Sequence, residues 1–485
     1  MNDTTRRDFM KSSALVGIAP FSKVLGANND VRVAVVGMGS SRGVGKSEIR
    51  NFGRIPGVRV VALCDPEQVH LDREVKIFKD RNEKIDSYID VRKLLDSKDI
   101  DAVVVTTPNH WHALVTIWAC QAGKDVYVQK PASHNIFEGR KMVEAARKYN
   151  RIVAATHGYR DRTGHGEAFA YARQGNLGKI LYARGLNYRA RTSIGKVSGP
   201  QPVPKTLDYN LWSGPAPIQP VMRESLHYDW HWDWLYGNGD LGNLGIHFMD
   251  ACRWALGQET LPERVLSVGG RFGYDDDGRT PNTLITFLDY KPAPIIFEVR
   301  GLPKKAEYLK QNWDKNSAVT MDDYRGIQTG VVVHCENGYI VQNKAFDSHD
   351  KLIMEFKPTN TNQGPGFINV VRSRKSGDLQ ADALVGHLSA SLVHMANISY
   401  RIGKETPSGQ IREIVSVDKE FANTYDRFLA HLDANQIDLK KHLATLGAFL
   451  RMDPKQEKFV GAFSDRANQL RSRDYRKPFV VPEKV

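Results

Sequence analysis

The sequence predicts a doubly wound α/β domain on a parallel sheet, followed by an α+β domain with a large, mostly antiparallel open sheet. Two observations carry this. Over residues 30–155, short apolar β-branched runs alternate with helical stretches, the order that builds parallel sheets covered on both faces. Beyond a helical stretch at 246–256, short strands separated by hairpin glycines dominate, and further helical stretches follow from about residue 382. A chain of 485 residues is long enough for two or three domains with a large core.

Composition narrows the function classes. The net charge of +13 is spread along the chain. No basic helix, zinc-ligand spacing or stacking-aromatic motif accompanies it, so nucleic-acid binding is not expected. Cys64, Cys120, Cys252 and Cys335 lie far apart, which fits neither a disulfide framework nor a metal knuckle. No internal run of about 18 apolar residues predicts a membrane span.

Residues 1–29 read as an address rather than as part of the fold. Thr4-Thr5-Arg6-Arg7-Asp8-Phe9-Met10-Lys11 precedes a weakly apolar Ser12–Ala19 and a small-residue exit at Gly26-Ala27. This resembles a twin-arginine export signal. Such signals serve cargo folded before export, often around a cofactor. The expected partner is therefore the twin-arginine export machinery. The expected location is the periplasm, with membrane anchoring if the signal is uncleaved.

Residues 30–155 read as a nucleotide domain. Strand Val31–Val36 runs into Gly37-Met38-Gly39-Ser40-Ser41-Arg42-Gly43 and a helix from about Val44. Glycine allows the tight turn and the close approach of main-chain N–H groups to a pyrophosphate at the helix N-terminus. The third glycine falls one residue later than in the usual fingerprint. Strand Val58–Cys64 ends at Asp65, where a carboxylate can accept from the adenosine ribose hydroxyls and repel a 2′-phosphate. NAD is therefore the expected cofactor, and Arg42 keeps NADP open. The strand at 101–107 opens into Pro108-Asn109-His110-Trp111-His112, with a helix expected from His112 to Ala122. Ligands bind at the C-terminal ends of parallel strands, so Thr107, Pro108, Asn109 and His112 should border the cofactor. Val126–Val128 then delivers Gln129, Lys130 and Pro131 to another strand tip, ahead of a helix that Ser133 can cap. A last strand is expected at 151–156.

These residues resemble a known group. Gly37-x-Gly39, Asp65, the run Thr107–His112 and Lys130-Pro131 are similar to motifs of the glucose–fructose oxidoreductase / inositol dehydrogenase (Gfo/Idh/MocA) family. Gly237-Asn238-Gly239-Asp240-Leu241-Gly242-Asn243-Leu244-Gly245-Ile246-His247 resembles its second signature, and Tyr475–Pro482 resembles the ending of an exported branch. The resemblance implies a Rossmann domain followed by an α/β domain with a large open sheet, action on sugars or polyols, and homodimers or homotetramers. Two departures stand out. Gln129 replaces the family's usual Glu, and Asn243 replaces the acid four residues before the histidine. Asn243 can orient a hydroxyl but cannot take its proton, so proton transfer falls on Lys130 and His247.

Residues 156–485 are expected to hold the substrate domain. His157 to Arg162, including Tyr159 and Arg160, leave the sheet as a polar set placed to meet substrate. The loop 193–220 either wraps a neighbouring subunit or covers the site. His227-Tyr228-Asp229-Trp230-His231-Trp232-Asp233-Trp234-Leu235-Tyr236 is either a sugar platform, with His231 and Trp232 in contact, or an aromatic plug against the sheet. His227, His231 and His247 match no familiar metal site, and no metal is expected. Strands are expected at 179–188, 265–269, 283–288, 295–300, 330–334 and 339–342. Helices are expected at 246–256, 382–402, 414–432, 436–450 and 453–471.

The leading expectation is an NAD(P)-dependent oxidoreductase of a carbohydrate with a tightly bound cofactor. A glycoside hydrolase or lyase working by transient oxidation and elimination remains open, as does a non-catalytic sugar-binding homologue.

Overall fold

The structure, a computed structural model, describes residues 30–485 except 40–42, 157, 161–163, 311 and 358–365. Ser40, Arg42, His157 and the whole 1–29 segment thus lie outside the described residues.

The first layer system is β1 (Val31–Val36), α1 (Gly45–Gly53), β2 (Val58–Cys64), α2 (Gln68–Lys79), β3 (Asp86–Tyr88), α3 (Val91–Asp96), β4 (Ala102–Val105), α4 (Asn109–Gln121), β5 (Asp125–Val128), α5 (Ile136–Lys148) and β6 (Val153–Ala155). Its six strands are all parallel, in the order β3-β2-β1-β4-β5-β6. In β1, Ala34 and Val36 pack into one core, while Val31, Val33 and Val35 pack into the core on the other face. Both faces are covered, which is why the strand reads as an unbroken apolar run. The helix after β5 is capped by Asn135, which accepts from Glu138 N–H at 2.9 Å, and not by Ser133. The chain bends at Lys130–Ala132 and again at His134, and Asn135, extended at φ −151°, is the residue that precedes the first helical turn.

The second sheet has twelve strands. They are β7 (Ile180–Tyr188), β8 (Arg264–Gly270), β9 (Thr283–Leu288), β10 (Ile295–Arg300), β11 (Thr329–Cys335), β12 (Gly338–Val341), β13 (Lys344–Asp347), β14 (Leu352–Glu355), β15 (Lys404–Thr406), β16 (Ala444–Leu446), β17 (Leu450–Asp453) and β18 (Lys458–Val460). Only β7 and β10 pair in parallel, and every other pairing is antiparallel. The sheet is therefore mixed and mostly antiparallel, as expected. Against it lie α6 (Ile246–Ala255) and α7 (Ala383–Arg401), and on its other face α8 (Lys419–Ala434).

Three late helices differ from expectation. The stretch 436–450 forms no helix: its Ala444–Leu446 segment pairs with β8 through Thr445↔Gly269 and Leu446↔Val268, and Leu450 opens β17. Leu and Ala favour helix locally, but the open edge of β8 offers ladder partners, and tertiary pairing outweighs propensity. Gly447 lets the two backbones meet, since a Cβ there would lie 2.6 Å from the Ser267 carbonyl oxygen. Within 453–471 only Ser464–Leu470 is helical, after β18. The 414–432 helix is two helices, Ser408–Val415 and α8, broken where the Asp418 side chain caps Phe421 N–H at 2.9 Å.

A division at residue 155 does not describe every contact. Phe479 and Val481 return to the core of the first domain, where Phe479 meets Trp111 edge-on with ring centroids 5.4 Å apart. The segment 201–236 is stitched over the nucleotide domain of its own chain. Gln68 N–H donates to Thr206 O and Asp208 N–H to Pro66 O, both at 3.0 Å. Among the described residues no helix is long and apolar enough to cross a membrane.

Candidate active site

A crevice runs along the C-terminal ends of the parallel strands and is roofed by the 201–236 strap. It encloses about 1350 Å³, its open mouth included. Asp65 ends β2, Gly37 follows β1, Thr107 follows β4 and Lys130 follows β5. These four strands are neighbours in the order β2-β1-β4-β5. At ~4.8 Å per strand the crevice spans about 14 Å from the acid to the lysine, the reach of an extended dinucleotide.

At the glycine end the backbone is closely folded. Gly37 and Gly39 have φ of 94° and 66°. A Cβ on Gly37 would lie 2.8 Å from Thr107 N, and one on Gly43 would lie 2.7 Å from the Gly39 Cα. Gly45, at the start of α1, was not singled out from sequence; its Cβ would fall 2.0 Å from the Gly37 oxygen. A fourth glycine soon after the turn was the available signal. The turn admits no side chains and leads into a helix N-terminus, which fits a pyrophosphate. Gly45→Ala is expected to yield folded protein that purifies with at least tenfold less bound nucleotide, read by cofactor release on denaturation.

Asp65 is turned inward. Its Oδ2 accepts from Met38 N–H at 2.6 Å and Gly39 N–H at 3.2 Å, and its Oδ1 accepts from Glu67 N–H at 2.9 Å. Burial pushes its carboxyl above the ordinary range, against the main-chain bonds that favour its ionised form. The acid therefore shapes the glycine turn as well as bordering the crevice. Asp90 lines the same end, with His70 and His227.

Midway, Thr107, Pro108, Asn109 and His112 all line the crevice. His112 ties two loops together, its Nδ1 lying 2.7 Å from Pro131 O and its Nε2 2.8 Å from Thr107 O. Asn109 Nδ2 donates to Asn238 Oδ1 at 3.1 Å, linking this rim to the second signature.

At the far end Lys130 is partly exposed and its amine donates to the Asn243 carbonyl. Asn243 sits in a π-helical turn, Leu241–Gly245, ahead of α6; such turns recur at functional sites. Burial, helped by the Arg191 guanidinium, pulls the lysine down to about 8. Arg191 is held by Asp240 through Nε to Oδ1 at 2.5 Å. Gln129 donates to Glu48 Oε1 at 2.8 Å and accepts from Thr156 at 3.2 Å. A carboxylate on α1 thus meets the Gln129 amide without lining the crevice, a contact that no spacing in the sequence reveals.

His231 also lines this crevice. Its Nδ1 lies 2.6 Å from Tyr228 O, so that nitrogen carries the proton and Nε2 keeps its lone pair. Burial, with Lys130 and Arg191 nearby, pulls the ring down to about 3, and it is neutral at working pH.

Five expected residues sit elsewhere, the first being Met38, whose side chain is buried in the core of the first domain. Tyr159 is 1% exposed and packs edge-on against His165 and Phe248 in the core of the second domain. Arg160 clamps the buried Asp250 bidentately at 2.7 and 3.0 Å. Both are structural here, because the chain turns from β6 straight into that core. Trp232 lies behind the crevice, under Arg191 and with Nε1 3.4 Å from Asp240 Oδ2. Tyr228 and Trp230 line the crevice in its place. The 3₁₀ turn Asp229–Trp232 sets which rings face in, so the aromatic run is both platform and plug. His247 lies one helical turn beyond Asn243, its ring beside Gly158, and does not line the crevice.

The glycine turn and the crevice along the strand ends fit a Rossmann domain that holds a dinucleotide. Residues 31–157 match the family model described as oxidoreductase family, NAD-binding Rossmann fold, and residues 179–312 match that of its C-terminal alpha/beta domain. The chain belongs to the Gfo/Idh/MocA oxidoreductase family. It is 25% identical over 315 residues to the levoglucosan dehydrogenase of Pseudarthrobacter phenanthrenivorans, covering 62% of this chain and 68% of that one. It is 31% identical over 176 residues to a glycosyl hydrolase family 109 protein of Solibacter usitatus, covering 31% of this chain and only 38% of the relative. The fold is similar to that of the WlbA dehydrogenase from Bordetella pertussis, solved with NADH and UDP-GlcNAcA. That likeness has a TM-score of 0.54 at 17% identity, over 77% of this chain and 97% of that one.

Proposed function

We propose that the protein oxidises a CH–OH group of a sugar, polyol or glycoside, using an NAD that it holds tightly. The observation that carries this is the placement of an amine that can be neutral near pH 8 in the same crevice as the glycine cradle. Bound NAD supplies the hydride acceptor. Neutral Lys130 takes the hydroxyl proton, the neutral His231 Nε2 and the Asn243 amide orient hydroxyls, and Tyr228 and Trp230 offer faces to the sugar's C–H surface. Asp65 and Asp90 favour NAD over NADP, because a 2′-phosphate would meet their charge. The strap across Pro66–Gln68 slows cofactor loss, which suits a protein loaded before twin-arginine export to the periplasm. An exposed edge at β14, where Leu352, Ile353 and Met354 are 47%, 45% and 45% exposed, supports self-association as a dimer or tetramer.

A second reading is elimination of the aglycone from a transiently oxidised glycoside, with Lys130 taking a carbon-bound proton. The match to a family 109 hydrolase over the nucleotide region favours it. One experiment separates the readings. The protein is purified without added nucleotide, its released cofactor measured, and the holoprotein incubated with glycosides. Net NADH formation marks an oxidoreductase, and aglycone release without it marks a hydrolase. Absence of bound nucleotide, with no response to any sugar plus NAD(P), overturns both and leaves a non-catalytic sugar binder.

A further inference from the structure

We propose that a second ligand site lies behind the Lys130 loop and takes the oxyanion of a small molecule, a carboxylate or a phosphate. It is separate from the cofactor crevice. The loop that delivers Lys130 to the crevice presents His134 and Asn135 to another pocket, closed by Arg401 of α7, Trp234 and Arg473.

His134 is the clearest sign of an occupant. It is 8% exposed, and neither ring nitrogen has a hydrogen-bond partner among the described residues. Buried polar groups are nearly always bonded, and leaving one idle is costly. Of the two cations around it, Arg473 keeps one buried donor unused and Arg401 stands exposed at the pocket's edge. Arg473 Nη1 is buried without a partner, while its Nη2 donates to Leu235 O at 2.6 Å. The Arg401 guanidinium lies over the Trp234 ring at 5.0 Å. Neither arginine is ion-paired among the described residues.

Two acids face this group. Asp474 stands at the exposed rim. Glu138 is buried beneath, accepting from His134 N–H at 3.1 Å, Asn135 Nδ2 at 2.8 Å and Tyr475 Oη at 3.2 Å. Burial pushes Glu138 up to about 7, so at neutral pH it is only partly charged. Two permanent guanidinium forks therefore converge with an unbonded imidazole and too little negative charge to balance them. Planar forks match the paired oxygens of carboxylate and phosphate, and the Trp234 ring adds an apolar wall.

The test uses the full chain loaded with NAD, so that the cofactor crevice cannot bind the probe. Inorganic phosphate and acetate, neither of which carries a CH–OH group to oxidise, are titrated separately by calorimetry at constant ionic strength. One saturable site per chain is expected for at least one probe, and the pair of titrations separates phosphate from carboxylate recognition. Arg473→Gln and Arg401→Gln should each weaken binding tenfold or more with NAD content unchanged, while Lys440→Gln at the surface leaves it as it was. If an arginine variant does not fold, the His134 imidazole resonance of the wild-type protein, followed by NMR during the titration, should shift with the same saturation. No saturable binding of either anion, equal binding in both arginine variants, or an unmoved His134 resonance overturns the proposal.

Discussion

Lys130→Met lowers turnover by roughly 10²–10⁴-fold, the usual contribution of a positioned general base, with folding and NAD content unchanged. Methionine keeps the length and the apolar stem and removes only the amine that donates to the Asn243 carbonyl. The pH profile is the sharper readout. The amine must be neutral to accept a proton, and it is held at about 8. The wild-type oxidation rate should therefore climb about tenfold per pH unit below that value and level off above it. The variant should lose this limb. A surviving limb with near-normal turnover would show that Lys130 is not the base.

The largest stability effect is expected far from the crevice, at Glu298 on β10. This carboxylate is fully buried and accepts from Arg184 Nη1 at 2.5 Å, Tyr188 Oη at 2.6 Å, Arg427 Nη1 at 3.0 Å and Arg300 Nη2 at 3.3 Å. Burial opposes its ionisation, but the three arginines prevail and hold it at about 2. Glu298→Gln would leave Arg184 and Arg427 without a counter-charge, Arg300 keeping its pair with Asp322, costing about 3–5 kcal/mol. Lys76→Gln, in the exposed pair with Asp80, should cost under ~1 kcal/mol. Urea unfolding compares the two. The depressed carboxyl also sets a pH dependence. Its stabilisation is complete above the ordinary value of 4.5 and is lost as pH falls from there toward about 2, roughly 3 kcal/mol in all. Unfolding of the second domain by acid should begin in that window, and Glu298→Gln should flatten it.

The first domain was legible because each signal is local. Its strands are apolar runs, its turn is glycine, and Asp65 and Lys130 sit at strand ends by position alone. The late strands were not, since Ala444–Leu446 becomes a strand only because β8 offers an unpaired edge. The same limit applies to the site. Gln129 and Asn243 could be noticed in the sequence, but the bond from Gln129 to Glu48 exists only once α1 packs beside β5. Arg160 looked available until Asp250 came to meet it from α6. Trp230 and Trp232 are two residues apart in like company, and only the 3₁₀ turn decides which faces the crevice.

The return of Phe479 and Val481 to the nucleotide domain sets an order of events during synthesis. Trp111 borders the crevice on one side and packs against Phe479 on the other. A ribosome releases the strands of the nucleotide domain first, and two buried side chains of their core, Phe479 and Val481, follow only with the tail. A nick or fused tag near Phe479 should weaken nucleotide retention at a turn coded near the opposite end, making an intact tail a checkpoint on loading.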